Sequence, residues 1–207
     1  MGEAVSQNEL FLTRDEEKTL LHLARYVLDR FTRDGITGFA GEMLEKFEIT
    51  EYLQKPAGVF VTYHSRGQLR GCIGNILPTE SLVKAVIENA MHSAAHDPRF
   101  DPIQPDELGD IQIEISVMSP LIPVKSTEEI EVGRDGLVLR AAGRTGVFLP
   151  QVPVEWHWER QEYLEQLRRK AGLDGKAYKR KDAELWRFTA QVFSEGKEVG
   201  PSGAWEG

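Results

Sequence analysis

The residues with the clearest chemical potential lie in the segment LRGCIGN, residues 69–75. It contains the chain's only cysteine, Cys72, which follows Arg70 by two positions. In a β-strand these two side chains lie on the same face, and a guanidinium within about 4 to 6 Å of a thiol favours the thiolate. Gly71 and Gly74 indicate that another backbone or a ligand approaches the strand closely. The segment therefore predicts a reactive or ligand-contacting cysteine.

A structural role explains the same cysteine, because free cysteine is often buried and behaves as a small apolar group. The register of the predicted hairpin separates the two interpretations. With a two-residue loop at Arg66 and Gly67, Cys72 lies opposite Val61 on an apolar face. With a three-residue loop and a bulge, it lies opposite Phe60 on the face that carries His64. The sequence leaves both registers open.

Three further polar residues are candidates for the same site. Glu114 lies in the middle of the alternating segment IQIEISVMS, residues 111–119, on its less apolar face. A sheet face open to water accounts for this carboxylate equally well. Asp97 and Arg99, in the segment DPRF, form either an ion pair that fixes a turn or the polar rim of a cleft. The catalytic candidates are thus Cys72, Arg70, Glu114 and His64.

No motif in the sequence predicts a metal or a cofactor. His92 and His96 have the spacing of two zinc ligands on one helix face, but the glutamate of the HExxH motif is missing. A solvated helix face explains both histidines. His157, in the segment EWHWER, lies in an aromatic-rich loop that is more typical of packing than of catalysis. We therefore expect no metal site and no cofactor.

The composition limits the classes of partner. The 207 residues include 25 Lys and Arg against 33 Asp and Glu, so the net charge is -8. This balance argues against binding to nucleic acid, which usually needs a basic surface. No stretch approaches the roughly 18 apolar residues of a membrane helix. A single cysteine without a basic, apolar leader predicts a cytoplasmic protein in a reducing compartment.

The residue pattern predicts the elements that position these side chains. Helices are expected over about 13–31, 81–96 and 159–171, and strands over 58–64, 68–74, 111–119 and 185–193. Shorter strand-like pieces are EIEV, GLVLRA and GVFLP. Strands arrive in runs and do not alternate strictly with helices, which predicts an α+β fold with an antiparallel sheet. We expect an N-terminal tail over 1–9, one domain over 10–195 and a flexible C-terminal tail over 196–207.

Five segments in this order carry a family resemblance: LRGCIG, DPRF, IEISVMSP, GVFLPQV and RFTAQVFSE. With them the chain resembles the AMMECR domain family, including its bacterial and archaeal form in AmmeMemoRadiSam systems. The resemblance covers about residues 10–195, and RGCIG is its most specific part. It implies an antiparallel sheet flanked by helices, arranged as a larger and a smaller lobe with a cleft between them. It also implies association with a radical-SAM protein and a Memo-type protein.

The resemblance also implies which residues surround a ligand. Its motif is Arg70, Gly71, Cys72, Ile73 and Gly74, and we place Asn75, Asp97 and Arg99 at the same cleft. Our first hypothesis is an accessory component of a radical-SAM and Memo-type modification system, with a small-molecule or peptide ligand at this cleft. The alternative is an enzyme whose Cys72 thiolate acts as a nucleophile or an acid/base. A nucleic-acid-associated regulator is the third reading, which the acidic charge disfavours.

Overall fold

The computed structural model describes residues 12–35, 41–78, 80–175 and 182–196. The predicted N-terminal tail lies outside these residues, and so does the predicted C-terminal tail except for Gly196. The chain divides into two compact units. The first contains Met1–Val117 and Gln191–Gly207, and the second contains Met118–Ala190.

The described residues contain four α-helices and eight strands. The helices are α1 (Arg14–Asp34), α2 (Leu82–Ala95), α3 (Gln151–Glu155) and α4 (Arg160–Lys170). The strands are β1 (Val59–Ser65), β2 (Gln68–Asn75), β3 (Ile111–Met118), β4 (Ile122–Pro123), β5 (Gly136–Ala141), β6 (Arg144–Phe148), β7 (Glu184–Phe188) and β8 (Ala190–Ser194). Short 3₁₀ helices lie at Gly41–Lys46, Pro105–Glu107 and Thr127–Glu129. Two antiparallel sheets with flanking helices confirm the predicted α+β class.

The first unit is built on a four-stranded sheet in the order β2-β1-β3-β8. Strand β1 pairs antiparallel with β2 on one side and with β3 on the other. Val59, Val61 and Tyr63 of β1 are fully buried in a core shared with α1 and α2. Because side chains alternate along a strand, Phe60, Thr62 and His64 lie on the opposite face. Every site residue predicted from the sequence belongs to this unit.

Helix α1 begins as its sequence predicts. The Thr13 backbone N–H donates to Glu16 Oε2 at 2.8 Å, and the Glu16 N–H donates to Thr13 Oγ1 at 3.3 Å. This reciprocal capping box satisfies two backbone donors that the first helical turn would otherwise leave unpaired. Helix α2 packs against α1 and against the β1–β2 hairpin. The Tyr63 hydroxyl donates to the Ala90 carbonyl at 2.9 Å and ties the hairpin to α2.

The second unit has its own four-stranded sheet, in the order β4-β7-β5-β6. Helix α4 packs on β5 and β6, so that Tyr163, Leu164 and Leu167 are buried with Leu137 and Leu139 of β5. The Tyr163 hydroxyl donates to the Asp135 carbonyl at 3.1 Å. Burial raises the pKa of this phenol above its ordinary value, so it stays protonated.

Two predicted strands are wrong, because residue patterns do not show which hydrogen-bond partners a segment takes. The expected strand over 185–193 is two strands, because β7 joins the second sheet and β8 joins the first, with Thr189 between them. Alternation is continuous through both strands, so the sequence does not mark the change of partner. The segment EIEV is not a strand, because its first residue, Glu129, is the last residue of a 3₁₀ helix. Ser126 caps the start of that helix by accepting the Glu128 N–H.

Candidate functional site

The hairpin places Cys72 in a register that neither sequence alternative described. The loop is the predicted pair Arg66 and Gly67, both with positive φ. A bulge then adds one residue to β2, because Tyr63 pairs with Gly71 whereas the next residue of β1 pairs with residue 69. Cys72 consequently lies opposite Thr62. It lies neither opposite Val61, as the two-residue loop predicts without a bulge, nor opposite Phe60.

Three polar groups form a row across the first sheet. Thr62 of β1 is opposite Cys72 of β2 and also opposite Glu114 of β3. Directly opposite residues in antiparallel strands have Cβ atoms about 4.5 to 5.5 Å apart. His64, two positions along β1, lies on the same face and pairs with Gln112 of β3. The fold thus brings the predicted residues Cys72, Glu114 and His64 to one face of the sheet.

The partly buried Cys72 thiol is held as a neutral group. The Thr62 hydroxyl donates a hydrogen bond to Sγ at 3.2 Å, which by itself lowers the thiol pKa. Burial outweighs this bond and raises the pKa of the Cys72 thiol above its ordinary value. Asp97 and Glu114 act in the same direction as burial, and Arg99 acts against it. The thiolate that a nucleophile requires is therefore disfavoured.

Arg70 does not activate the thiol as the strand spacing suggests. Its Nε and Nη2 donate to the two carboxylate oxygens of Glu107, at 2.7 and 2.8 Å, and its Nη1 donates to the Asp101 carbonyl at 2.9 Å. This bidentate pair holds the pKa of Glu107 below its usual range. The bulge explains the difference, because it interrupts the alternation from which Arg70 and Cys72 were expected to share a face. The guanidinium that influences Cys72 is that of Arg99.

Asp97 and Arg99 hold both backbone hydrogen-bonding groups of Cys72, its N–H and its C=O. The Asp97 side chain is only 3% exposed, and its Oδ2 accepts the Cys72 N–H at 2.8 Å. Its two oxygens also accept Arg99 Nε and Nη2, at 2.9 and 2.7 Å. Arg99 Nη2 in turn donates to the Cys72 carbonyl at 3.3 Å. The Arg99 guanidinium holds the pKa of the Asp97 carboxyl well below its usual range.

The glycines of the motif are explained by close packing inside the first unit. A Cβ at Gly71 would lie 2.2 Å from the Ser93 carbonyl oxygen of α2, and a Cβ at Gly74 would lie 2.4 Å from the Phe60 ring. Ser93 Oγ accepts the Ile73 N–H at 2.7 Å and donates to the Val61 carbonyl at 2.7 Å. Of the two explanations for a glycine in this strand, a close backbone or a close ligand, the structure shows the first, and the backbone is that of α2.

Sequence reasoning missed Ser93, Asn89, Thr62 and Glu107. Asn89 Nδ2 donates to the Val59 carbonyl at 3.2 Å and to Asn75 Oδ1 at 3.0 Å. A signal for two of these residues exists, because Asn89 and Ser93 are four positions apart on the buried face of α2. Polar side chains on an apolar helix face need buried partners. Thr62 and Glu107 carry no comparable signal, since their roles depend on strand register and on a distant loop.

Nothing in the described residues adds a metal centre to this site. The His92 and His96 rings lie 5.6 Å apart, centroid to centroid. Within residues 12–35, 41–78, 80–175 and 182–196 there is no group of three His, Cys, Asp or Glu side chains placed to hold a metal ion. Across the same residues no helix has the length and apolar character needed to cross a membrane.

Comparison with known proteins places this geometry in a family. The AMMECR1 family matches residues 21–193. A protein from Thermococcus gammatolerans is 41% identical over 193 residues, which cover 88% of this chain and 91% of that protein. A protein from Methanothermobacter thermautotrophicus is 37% identical over 190 residues, covering 89% and 96%.

A solved structure supports the same conclusion at the level of the fold. The crystal structure of uncharacterized protein PH0010 from Pyrococcus horikoshii matches with a TM-score of 0.74 at 34% sequence identity. The match covers 86% of this chain and 90% of that chain. Since the family match spans all eight strands except the last residue of β8, the whole Cys72 site lies inside it. The chain belongs to the AMMECR1 family.

Proposed function

We propose that this protein binds a small-molecule or peptide ligand at the sheet face around Cys72, as an accessory component of a radical-SAM and Memo-type modification system. The row of Cys72, Thr62 and Glu114 supports a binding role, because it offers a neutral thiol, a hydroxyl and a carboxylate on one face. The family resemblance of the sequence supports the two partner classes.

The observation that carries this proposal is that Arg70, the basic group expected to activate the thiol, is bound to Glu107 instead. Thr62 donates to Sγ, yet the pKa of Cys72 is raised by burial, and Arg70 is engaged with Glu107. A cysteine nucleophile needs the opposite, a depressed pKa or an adjacent base. The backbone of the motif is also held at Cys72 by Asp97 and Arg99 and at Ile73 by Ser93. These contacts support a rigid ligand platform.

A thiol-dependent enzyme remains the second candidate because of one specific atom. His64 Nε2 is buried and has no hydrogen-bond partner among the described residues. His64 shares its face with Cys72 and Glu114, and an unpartnered imidazole nitrogen is available to accept a proton. In this reading, a substrate or partner lowers the thiol pKa and His64 or Glu114 takes the proton. The two candidates therefore differ in the reactivity of Cys72 within the complete system.

The experiment measures the pH dependence of iodoacetamide labelling of Cys72. We compare the native protein, the denatured protein, and the native protein mixed with its radical-SAM and Memo-type partners. For a binding role, native labelling is slower than denatured labelling, its midpoint lies at higher pH, and partners slow it further. The Thr62→Val variant raises the midpoint again, since it removes the hydroxyl that lowers the thiol pKa.

Two results decide against the proposal. A native midpoint well below that of the denatured chain, alone or with partners, establishes an activated thiolate and favours the enzyme. Failure of the wild-type protein to co-purify with either partner class removes the accessory role. The Cys72→Ser variant is the matched control, because a hydroxyl of similar shape retains partner binding if the thiol has no covalent function.

A further inference from the structure

The second unit carries an exposed aromatic surface beside the end of α3, formed by Val154, Trp156 and Trp158. Trp156 is 67% exposed, more than any other large hydrophobic residue in the described part of the chain, and Val154 is 51% exposed. The Trp156 ring stacks on Trp158 with centroids 6.1 Å apart and planes at 21°. Trp158 packs edge-to-face on Phe148 at 5.3 Å. The Trp156 ring therefore has a stacking partner and remains mostly exposed.

An acidic cavity adjoins this tryptophan surface. Trp158 lines a cavity of about 510 Å³ in the second unit, together with the loop around Ile130 and the start of α4. Val154 lies against the same loop, because a Cβ at Gly133 would be 3.1 Å from Val154 Cγ2. The charged residues that line the cavity are Glu128, Glu129, Glu131, Glu159 and Arg160. Aromatic and acidic groups thus form one continuous surface.

The lining of this cavity keeps an excess of negative charge. Glu131 pairs with Arg134, and Arg160 Nε donates to the Ile130 carbonyl at 2.9 Å. Glu128, Glu129 and Glu159 are exposed, and none of them forms an ion pair within the part of the chain that the structure describes. A cationic group that entered the cavity would meet carboxylates and an indole face together.

We propose that the tryptophan surface and its acidic rim form a docking site for a lysine- or arginine-bearing segment of a partner protein. Exposed apolar surface rimmed by polar residues marks interaction sites, and tryptophan is among the residues that dominate interface energetics. Lysine and arginine are attracted both to the face of an indole ring and to carboxylates. This site is independent of the Cys72 face and extends the protein's function beyond it.

Charge complementarity selects this occupant over the alternatives. The chain has a net charge of -8, and a second copy would bring another acidic rim against the first. Juxtaposed like charges oppose association. Anionic membranes and nucleic acids are repelled for the same reason.

The test uses calorimetric titration of the full chain with an acetylated, amidated octapeptide that alternates glycine with lysine or arginine. We expect saturable binding of one peptide per chain that weakens as salt is added. Trp156→Ala weakens the binding by about fivefold to tenfold, since it removes the exposed cation-binding ring. The triple change Glu128→Gln, Glu129→Gln and Glu159→Gln weakens it and removes most of its salt dependence.

Matched controls come from the first unit. Leu77→Ala truncates another exposed apolar residue, 48% exposed, and Glu51→Gln removes another exposed carboxylate. Both should leave peptide affinity within twofold of the wild type. An octapeptide with glutamine in place of the basic residues should not bind.

Several results overturn the proposal. They are an absence of saturable binding by the basic peptide, equal binding of the glutamine peptide, and unchanged affinity in both the Trp156→Ala and the triple variant. A wild-type dimer in sedimentation that Trp156→Ala dissociates assigns the surface to a second copy. The triple variant carries only exposed substitutions, so the test stands even where Trp156→Ala fails to fold.

Discussion

The strand around Cys72 and the surface around Trp156 differ in how much of their chemistry the fold itself uses. Around Cys72, the backbone N–H and C=O, the guanidinium of Arg70 and the carboxylate of Asp97 all have partners within the first unit. Around Trp156, the indole ring faces outward, and Glu128, Glu129 and Glu159 form no ion pair within the residues that the structure describes. The RGCIG motif can therefore be required mainly for folding, whereas the surface around Trp156 presents side chains that are available to a partner.

The largest expected effect tests whether the motif glycine is structural. Gly71→Ala places a methyl group 2.2 Å from the Ser93 carbonyl oxygen, so the hairpin or α2 must shift. We expect the free energy of unfolding to fall by about 3 kcal/mol or more, at the upper end of overpacking effects. Chemical denaturation with two spectroscopic probes measures it.

Gly109→Ala is the control, because a Cβ at that position meets nothing within 4 Å. Its free energy of unfolding should change by less than about 0.5 kcal/mol. A Gly71→Ala protein as stable as Gly109→Ala would contradict the packing explanation, and it would restore ligand access as the reason for a glycine beside Cys72.

A smaller effect is expected from the carboxylate that holds the Cys72 backbone. The folded-state pKa of Asp97 lies below its usual value, so this group adds stability above the unfolded-state pKa of about 3.9. That stability is lost as the pH falls through the folded-state pKa. We expect Asp97→Asn to be less stable than the wild type at neutral pH. Below pH 4, its free energy of unfolding should depend less steeply on pH, by up to about 1.4 kcal/mol per pH unit.

Urea denaturation at a series of pH values measures this slope. Asp101→Asn is the matched control, since Asp101 is exposed, its hydrogen bond to Arg70 uses the backbone carbonyl that the variant keeps, and its carboxylate acts on Arg70 only through its charge. An Asp97→Asn protein whose acid dependence equals that of the wild type would show that Asp97 does not anchor the strand electrostatically.

The smallest change in the free energy of unfolding is expected at the surface around Trp156. Trp156→Ala should change the free energy of unfolding by less than about 1 kcal/mol, because the change removes one stacking contact of an exposed ring. Trp158→Ala should cost about 2 kcal/mol or more, since that ring packs on Phe148 and helps to close the core. Thermal unfolding of both variants measures the difference. Equal losses would mean that Trp156 is a structural residue.

Local sequence pattern predicted the elements that later proved correct. The capping box at Thr13 and Glu16, the hairpin loop at Arg66 and Gly67 and the alternation of β3 depend on neighbouring residues, and the structure confirms them. The α+β class follows from the order of such elements. A bulge in β2 was part of one of the two registers that the sequence left open, but its place could not be predicted, because it depends on pairing with β1 across the sheet.

The candidate site was predictable in its members and not in its contacts. Cys72, Glu114 and His64 were named from the sequence, which left open whether Cys72 and His64 share a face. The structure brings the three to one face, because β1 and β3 pair in regular register and the bulge in β2 moves Cys72 opposite Thr62. The partner of Arg70 is 37 residues away, and that of the Cys72 N–H is 25 residues away. A chain segment of this length can take many conformations, and residue types alone do not determine which one the protein adopts.

The hydrogen bonds from the DPRF segment to the Cys72 backbone also limit the addition of a further strand to the sheet. Strand β2 ends the first sheet, and an unprotected edge strand can template pairing with another chain. Asp97 accepts the N–H of Cys72 and Arg99 donates to its C=O, so the outward-facing backbone groups of this residue already have partners. The middle of this edge is therefore closed to β-augmentation by a peptide. A peptide that paired with β2 here would first have to displace Asp97 and Arg99, and the same contacts make this part of the edge a poor template for edge-to-edge association.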